Sequence, residues 1–229
     1  MAFQEYSPAQ LQTLFYERVG QNTAFWRSNE VGLILKEAFR IFNCLTGYWR
    51  GRISMGLTVA NQTWYSSPPG LTYIYRMEIN NIPLGSSSLW DLDYGQPNWE
   101  TETCTATTLP QVFAPMGTNL FALWPSSFSG GESLVVDGVI PAPDPTTGTF
   151  VNLGQEELTA ILDYSEHIAQ FKEGGQEFEA SQLLLQKFLK YCAYRNAMLM
   201  QSARFRSWMG LTDEAKRPIR SVTERVGAR

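Results

Sequence analysis

The sequence predicts an α+β fold: a helical bundle with two long helices, interrupted by an inserted antiparallel β module and followed by an extended C-terminal tail. Three observations carry this reading. Apolar residues recur at helical spacing over residues 1–50 and 151–209, whereas between 51 and 150 Thr, Val, Trp and Tyr alternate with polar residues. The punctuation changes in step, because Ser66-Ser67-Pro68-Pro69-Gly70, Asn80-Asn81, Gly95-Gln96-Pro97 and Gly130-Gly131 all fall in the middle stretch. Residues 211–229 carry only isolated apolar side chains and no core-forming period.

The first helix opens with Ser7 as N-cap, Pro8 at the first helical position and Gln10 three residues after the cap, a capping-box pattern, and Gly20 is its stop. A second helix begins near Ser28 and lines up Val31, Ile34, Leu35, Ala38, Ile41, Phe42 and Leu45 as a packing face. Short strands are predicted for Leu57–Tyr65, Thr72–Ile79, Leu120–Trp124 and Ser133–Val139, with Pro141 to Gly148 as the exit linker. Helical spacing resumes at Gln155 through Leu158, Ile161, Leu162, Ser165 and Ile168, and Gly174-Gly175 ends that helix. A long amphipathic helix then runs from about Glu177 to Trp208, which at ~1.5 Å per residue spans roughly 45–50 Å, more than a compact domain of this size needs.

The 229 residues are 44% hydrophobic and 17% charged, a charged share below the roughly 25% of soluble domains, which points to apolar surface covered by partner subunits. A formal net charge of −4 lacks the overall basic footprint of a nucleic-acid binder. That average hides a division: residues 55–181 are strongly acidic and residues 182–229 carry 10 basic against 3 acidic side chains. The start, Met-Ala-Phe-Gln-Glu, shows neither a basic nor an apolar leader region, and Lys36 and Arg40 break the most apolar helix, so neither secretion nor a membrane span is expected. Cys44, Cys104 and Cys192 are odd in number and far apart, which fits free thiols in a reducing compartment.

Sites of chemistry are sparse. His167 stands alone between Glu166 and Ile168, without the partners of a triad or a metal set, and reads as a helix-packing or surface residue. Nucleophile-elbow, phosphate-loop, dinucleotide-fingerprint and His-Glu-x-x-His motifs do not occur. Asp91, Asp93, Glu100 and Glu102 suggest a glycosidase pair or a calcium loop, but the sixth loop position counted from Asp91 is Gln96 rather than Gly, and turn-forming or solvated carboxylates are the simpler reading. Trp49, Trp64, Trp90, Trp99 and Trp124 offer either a sugar platform or a strand core. No enzyme, metal or cofactor is expected. The basic cluster of Lys187, Lys190, Arg195, Arg204 and Arg206, continuing into the tail, reads as a solvated helix face or as a docking element for an acidic partner.

From Tyr65 to Trp99 a series of small features accumulates: Tyr65 with Pro68, Arg76-Met77, Pro83-Leu84, Ser88 before Leu92-Asp93, and Pro97-x-Trp99. Trp124-Pro125, Asp163-Tyr164 and Lys172-x-Gly-Gly175-x-Glu-Phe178 extend the series. Together, over about residues 7–205, they resemble the head-tail adaptor (head completion, connector) proteins of tailed bacteriophages. Thr108-Leu109-Pro110 and Asn81-Ile82 depart from the pattern, which usually carries Gly there. The resemblance implies a virion protein at the head-tail junction. It implies a homo-oligomeric ring, usually of twelve copies, that sits below the portal protein. Such a ring carries the DNA channel onward without sequence-specific binding and bears the next neck or tail protein. The tail, with Lys216, Arg217, Ile219, Arg220, Val222, Arg225 and Arg229, is then the portal-docking element. The alternatives are another neck or tail-completion (stopper) ring, or a carbohydrate-binding virion module.

Overall fold

The structure, a computed structural model, describes residues 3–20, 22–117, 119–148 and 150–201. It is an α+β protein whose chain divides into two compact units, one made of the chain up to Tyr48 together with Ala142–Gln201, the other of Trp49–Pro141. The β unit is therefore inserted in the sequence of the helical one. Its C-terminal boundary falls well before residue 150, because the 142–148 stretch belongs to the helical unit: Asp144 pairs with Lys36 of the second helix and accepts from the backbone N–H and hydroxyl of Thr146. These bonds hold its carboxyl down at about 2.

In the helical unit, β1 (Phe3–Tyr6) pairs antiparallel with β10 (Val151–Gly154), a ribbon that four residues of unremarkable sequence did not announce. The helix α1 (Pro8–Arg18) starts from the Ser7–Gln10 capping box. Next come α2 (Ser28–Thr46), α4 (Gln155–Glu173) and α5 (Gly175–Gln201). The last two form an antiparallel hairpin, with Tyr164 stacked on Phe188 and His167 on Phe178. Phe15, Phe39, Phe42, Ile161 and Phe188 are fully buried and form the centre of this unit's apolar interior. The expected continuation of the long helix to Trp208 lies outside the described residues, as do the 211–229 tail and its docking residues Lys216, Arg217, Ile219, Arg220, Val222, Arg225 and Arg229.

The β unit is a layered sandwich. One sheet runs β2 (Arg50–Leu57), β9 (Ser133–Val139), β4 (Tyr73–Ile79), β5 (Ile82–Pro83); the other runs β3 (Trp64–Ser66), β8 (Leu120–Trp124), β7 (Val112–Met116), β6 (Gly85–Ser86). Alternation sends Met77, Ile79, Leu134 and Val136 of the first sheet and Phe113, Phe121 and Leu123 of the second into one shared core. The opposite face of the second sheet, with Ala114, Ala122 and Trp124, is covered by Leu92 of the helix α3 (Leu89–Gly95) and by Trp99 of the following 3-10 turn.

The single strand expected over Leu57–Tyr65 is broken: Leu57 ends β2, Trp64 and Tyr65 open β3, and residues 58–63 form a loop between them, because β2 bulges between Ser54 and Gly56, Gly56 sits at φ +90°, and Thr58 turns inward to bond Glu132. The strands β2 and β7 and the helix α3 were not anticipated, since Arg50-x-Arg52 looks polar and Pro115 interrupts Val112–Met116.

Candidate interaction surfaces of the β unit

The outer face of the β2-β9-β4 sheet is built by register. Arg52 lies opposite Asp137, which lies opposite Arg76, and Glu78 sits two residues along from Arg76 on the same face. Glu78, with its side chain only 5% exposed, pairs with both Arg52 and Arg76, one through each oxygen. Asp137 lies 3.9 Å from each of the same two guanidinium groups. The four side chains close a ring of alternating charge in which the carboxylates lie beneath and the guanidinium groups face outward. A carboxylate this buried is tolerated because it is doubly paired. Beside the ring, Arg50 stands 5.3 Å over the ring of Tyr75, and Tyr75 meets Tyr73 edge-on at 5.1 Å. Burial raises the Tyr75 hydroxyl above its usual range against the opposing pull of Arg50.

On the other side of the sandwich, three of the four carboxylates that sequence offered, Asp91, Asp93 and Glu102, have structural partners. Asp91 closes the Ser88 capping box of α3. The indole N–H of Trp99 donates to Asp93 at 2.7 Å, and that of Trp124 donates to Glu102 at 2.9 Å. Trp64 and Trp99 pack edge-on at 5.5 Å in the same cluster. So Trp64, Trp99 and Trp124 pack in this core cluster, whereas Trp90, 77% exposed, shares the solvent side of α3 with Tyr94, 84% exposed. Among the described residues, no group of three or more His, Cys, Asp or Glu side chains is placed to hold a metal ion.

In the helical unit His167 is buried, with Nδ1 2.9 Å from the Ser181 hydroxyl and burial lowering its pKa. Between α4 and α5 lies a groove of about 360 Å³ lined by Glu156, Asp163, Lys187, Tyr191 and Tyr194 among others. Burial pushes Tyr191 up to about 12, and Arg18 reaches both Asp163 and Glu166. No described helix is long and apolar enough to cross a membrane. Compared with protein families and with curated proteins, the chain matches none.

Sequence reasoning did not single out the open sheet face. A signal was present: Arg50, Arg52 and Arg76 are all the basic residues of 49–141, and no Lys or Arg occurs between Met77 and Phe171.

Proposed function

We propose that this chain is a virion structural protein, the subunit of a head-to-tail adaptor ring of about twelve copies that docks below the portal of a tailed phage. In this reading the ring extends the DNA channel, without sequence-specific DNA contacts, and presents a platform to the next neck or tail protein. The helical unit is then a bundle resting on its long helices α4 and α5, and the basic tail 211–229 grips the portal. The observation that supports it most is the coincidence of architecture with motif. A β unit is inserted into the sequence of a helical one, and the Tyr65-to-Trp99 features that resemble the adaptor family lie in the inserted unit. Exposed apolar side chains such as Trp90, Leu183 and Phe171 suit a subunit that its neighbours complete.

The test is co-expression with a portal protein from the same phage and mass measurement of the purified complex. A ring of this chain bound to portal supports the reading, and deleting residues 212–229 should release it and leave heads that leak DNA. A chain that leaves portal alone, while heads lacking it retain DNA and join tails, overturns the adaptor assignment.

A further inference from the structure

The β unit is electrically lopsided. Its three basic residues, Arg50, Arg52 and Arg76, all stand on the strands of the β2-β9-β4 sheet, and among the described residues of this unit no helix packs on the face they share with Tyr73, 58% exposed. The opposite broad side is the α3 cap, where Asp91, Asp93, Glu100 and Glu102 lie within fourteen residues of chain that hold no Lys or Arg. Among the described residues none of these four has a cationic side chain in ion-pair range; Asp91, Asp93 and Glu102 bond Ser88, Trp99 and Trp124 instead. Projecting from that acidic cap are Trp90 and Tyr94, which the sheet beneath does not use.

We infer that the open β2-β9-β4 face is the docking surface for the α3 cap of a second copy of this chain. Three properties of the two faces argue for this occupant. The sheet face turns three guanidinium groups outward over the two carboxylates Glu78 and Asp137, whereas the cap carries carboxylates alone, so guanidinium groups meet carboxylates and a pairing of cap with cap is disfavoured. Their side chains are of the types that anchor protein interfaces: Trp90 and Tyr94 on one side, Arg50, Tyr73 and Tyr75 on the other, which also permits cation–π contact across the joint. The faces are held in place, because Glu78 and Asp137 hold Arg52 and Arg76, Arg50 lies over Tyr75, and the Ser88–Asp91 box and the Trp99–Asp93 bond fix the cap.

Two complementary patches on opposite sides of one unit make a heterologous, head-to-tail contact, and such contacts close into rings or propagate as filaments. The inference deepens the proposed ring by naming the surfaces that join its subunits, and its assembly claim rests on that reading.

The test uses two full-length variants, Arg50→Glu on the sheet face and Trp90→Ser with Tyr94→Ser on the cap, each checked for an unchanged circular-dichroism spectrum. In sedimentation velocity each should lose self-association by roughly thirtyfold or more relative to the unaltered chain. Mixed together they should form a 1:1 heterodimer and nothing larger, since one intact sheet face meets one intact cap and the two dead faces stop growth. Variants that assemble like the unaltered chain overturn this interface and leave the adaptor reading to another surface. A mixture that stays monomeric overturns it as well, as does an unaltered chain that stays monomeric at the highest concentration reached. Heterodimers from a protein that never binds portal would sustain the interface and sink the adaptor reading instead.

Discussion

The indole of Trp99 donates to the carboxylate of Asp93 at 2.7 Å, tying the 3-10 turn back onto α3 across the second sheet. The bond converts an acid that looks reactive in sequence into a brace. Trp99→Phe keeps an aromatic ring but removes the bond and part of the volume of a buried indole, so it should cost about 1–3 kcal/mol in urea unfolding. Asp93→Asn keeps an acceptor oxygen and should cost less. The brace reading fails if Trp99→Phe is neutral while Asp93→Asn is severe.

Gly154, the N-cap of α4, has φ −75° and ψ 158°, a conformation open to any residue. It is constrained by contact instead, since a Cβ there would strike the Glu157 carboxylate, which is buried and pairs with Arg195. Gly154→Ala should therefore lower stability by about 1–3 kcal/mol, despite the entropic gain that Ala usually brings. In a Glu157→Ala background, already weakened by an unpaired Arg195, the further cost of Gly154→Ala should shrink, and thermal melts of the four proteins give the coupling directly. Equal costs in both backgrounds would show that the carboxylate is not what excludes the side chain.

The charge ring on the open sheet makes a prediction about additivity. Either Arg52→Met or Arg76→Met alone leaves Glu78 one guanidinium partner, and each arginine is partly exposed, so each change should cost only about 1 kcal/mol. The double variant leaves a buried carboxylate with no partner and should cost clearly more than the sum. Adding Glu78→Met to the double variant should recover much of the loss. Strict additivity in denaturant unfolding would dissolve the ring as a unit.

The parts of the fold legible from sequence were those set by local chemistry. Ser7, Pro8 and Gln10 start α1 through bonds that reach three residues, and the stripe from Val31 onward has one apolar face to bury. Leu120–Trp124 and Ser133–Val139 emerged as strands with the bounds read from their alternation. The misses are set by distant partners. Arg50-x-Arg52 becomes a strand because Asp137 and Glu78 wait on other strands, and Leu57–Tyr65 fails as one because Glu132, more than sixty residues on, pulls Thr58 inward. The α3 cap does carry a local signal in Ser88-x-x-Asp91, a capping box, but its seven residues are too few to show a helical stripe. The asymmetry between open face and acidic cap is a property of the sheet order, which no window of sequence contains.

His167 supplies the pH dependence. Its ring is buried against Phe178 and held by the Ser181 hydroxyl, and burial is what depresses its pKa below the ordinary 6.5. A depressed pKa means that the unfolded chain binds the proton more readily than the folded one, so stability falls as pH falls. The contribution is whole above pH 6.5 and drains away as the pH drops from there toward the folded value. Glu166 alongside has the opposite sense: burial, reinforced by Asp163 and opposed by Arg18, raises its pKa, so its effect is to weaken the fold as pH rises from about 4.5. The two are separated by comparing the protein with His167→Gln, which leaves Glu166 in place and keeps a polar group for Ser181. Between pH 7.5 and 5.5 the melting temperature of the unaltered chain should drop, and that of His167→Gln should drop less. Parallel curves would place the titrating group elsewhere and leave His167 a packing residue with no part in acid sensitivity.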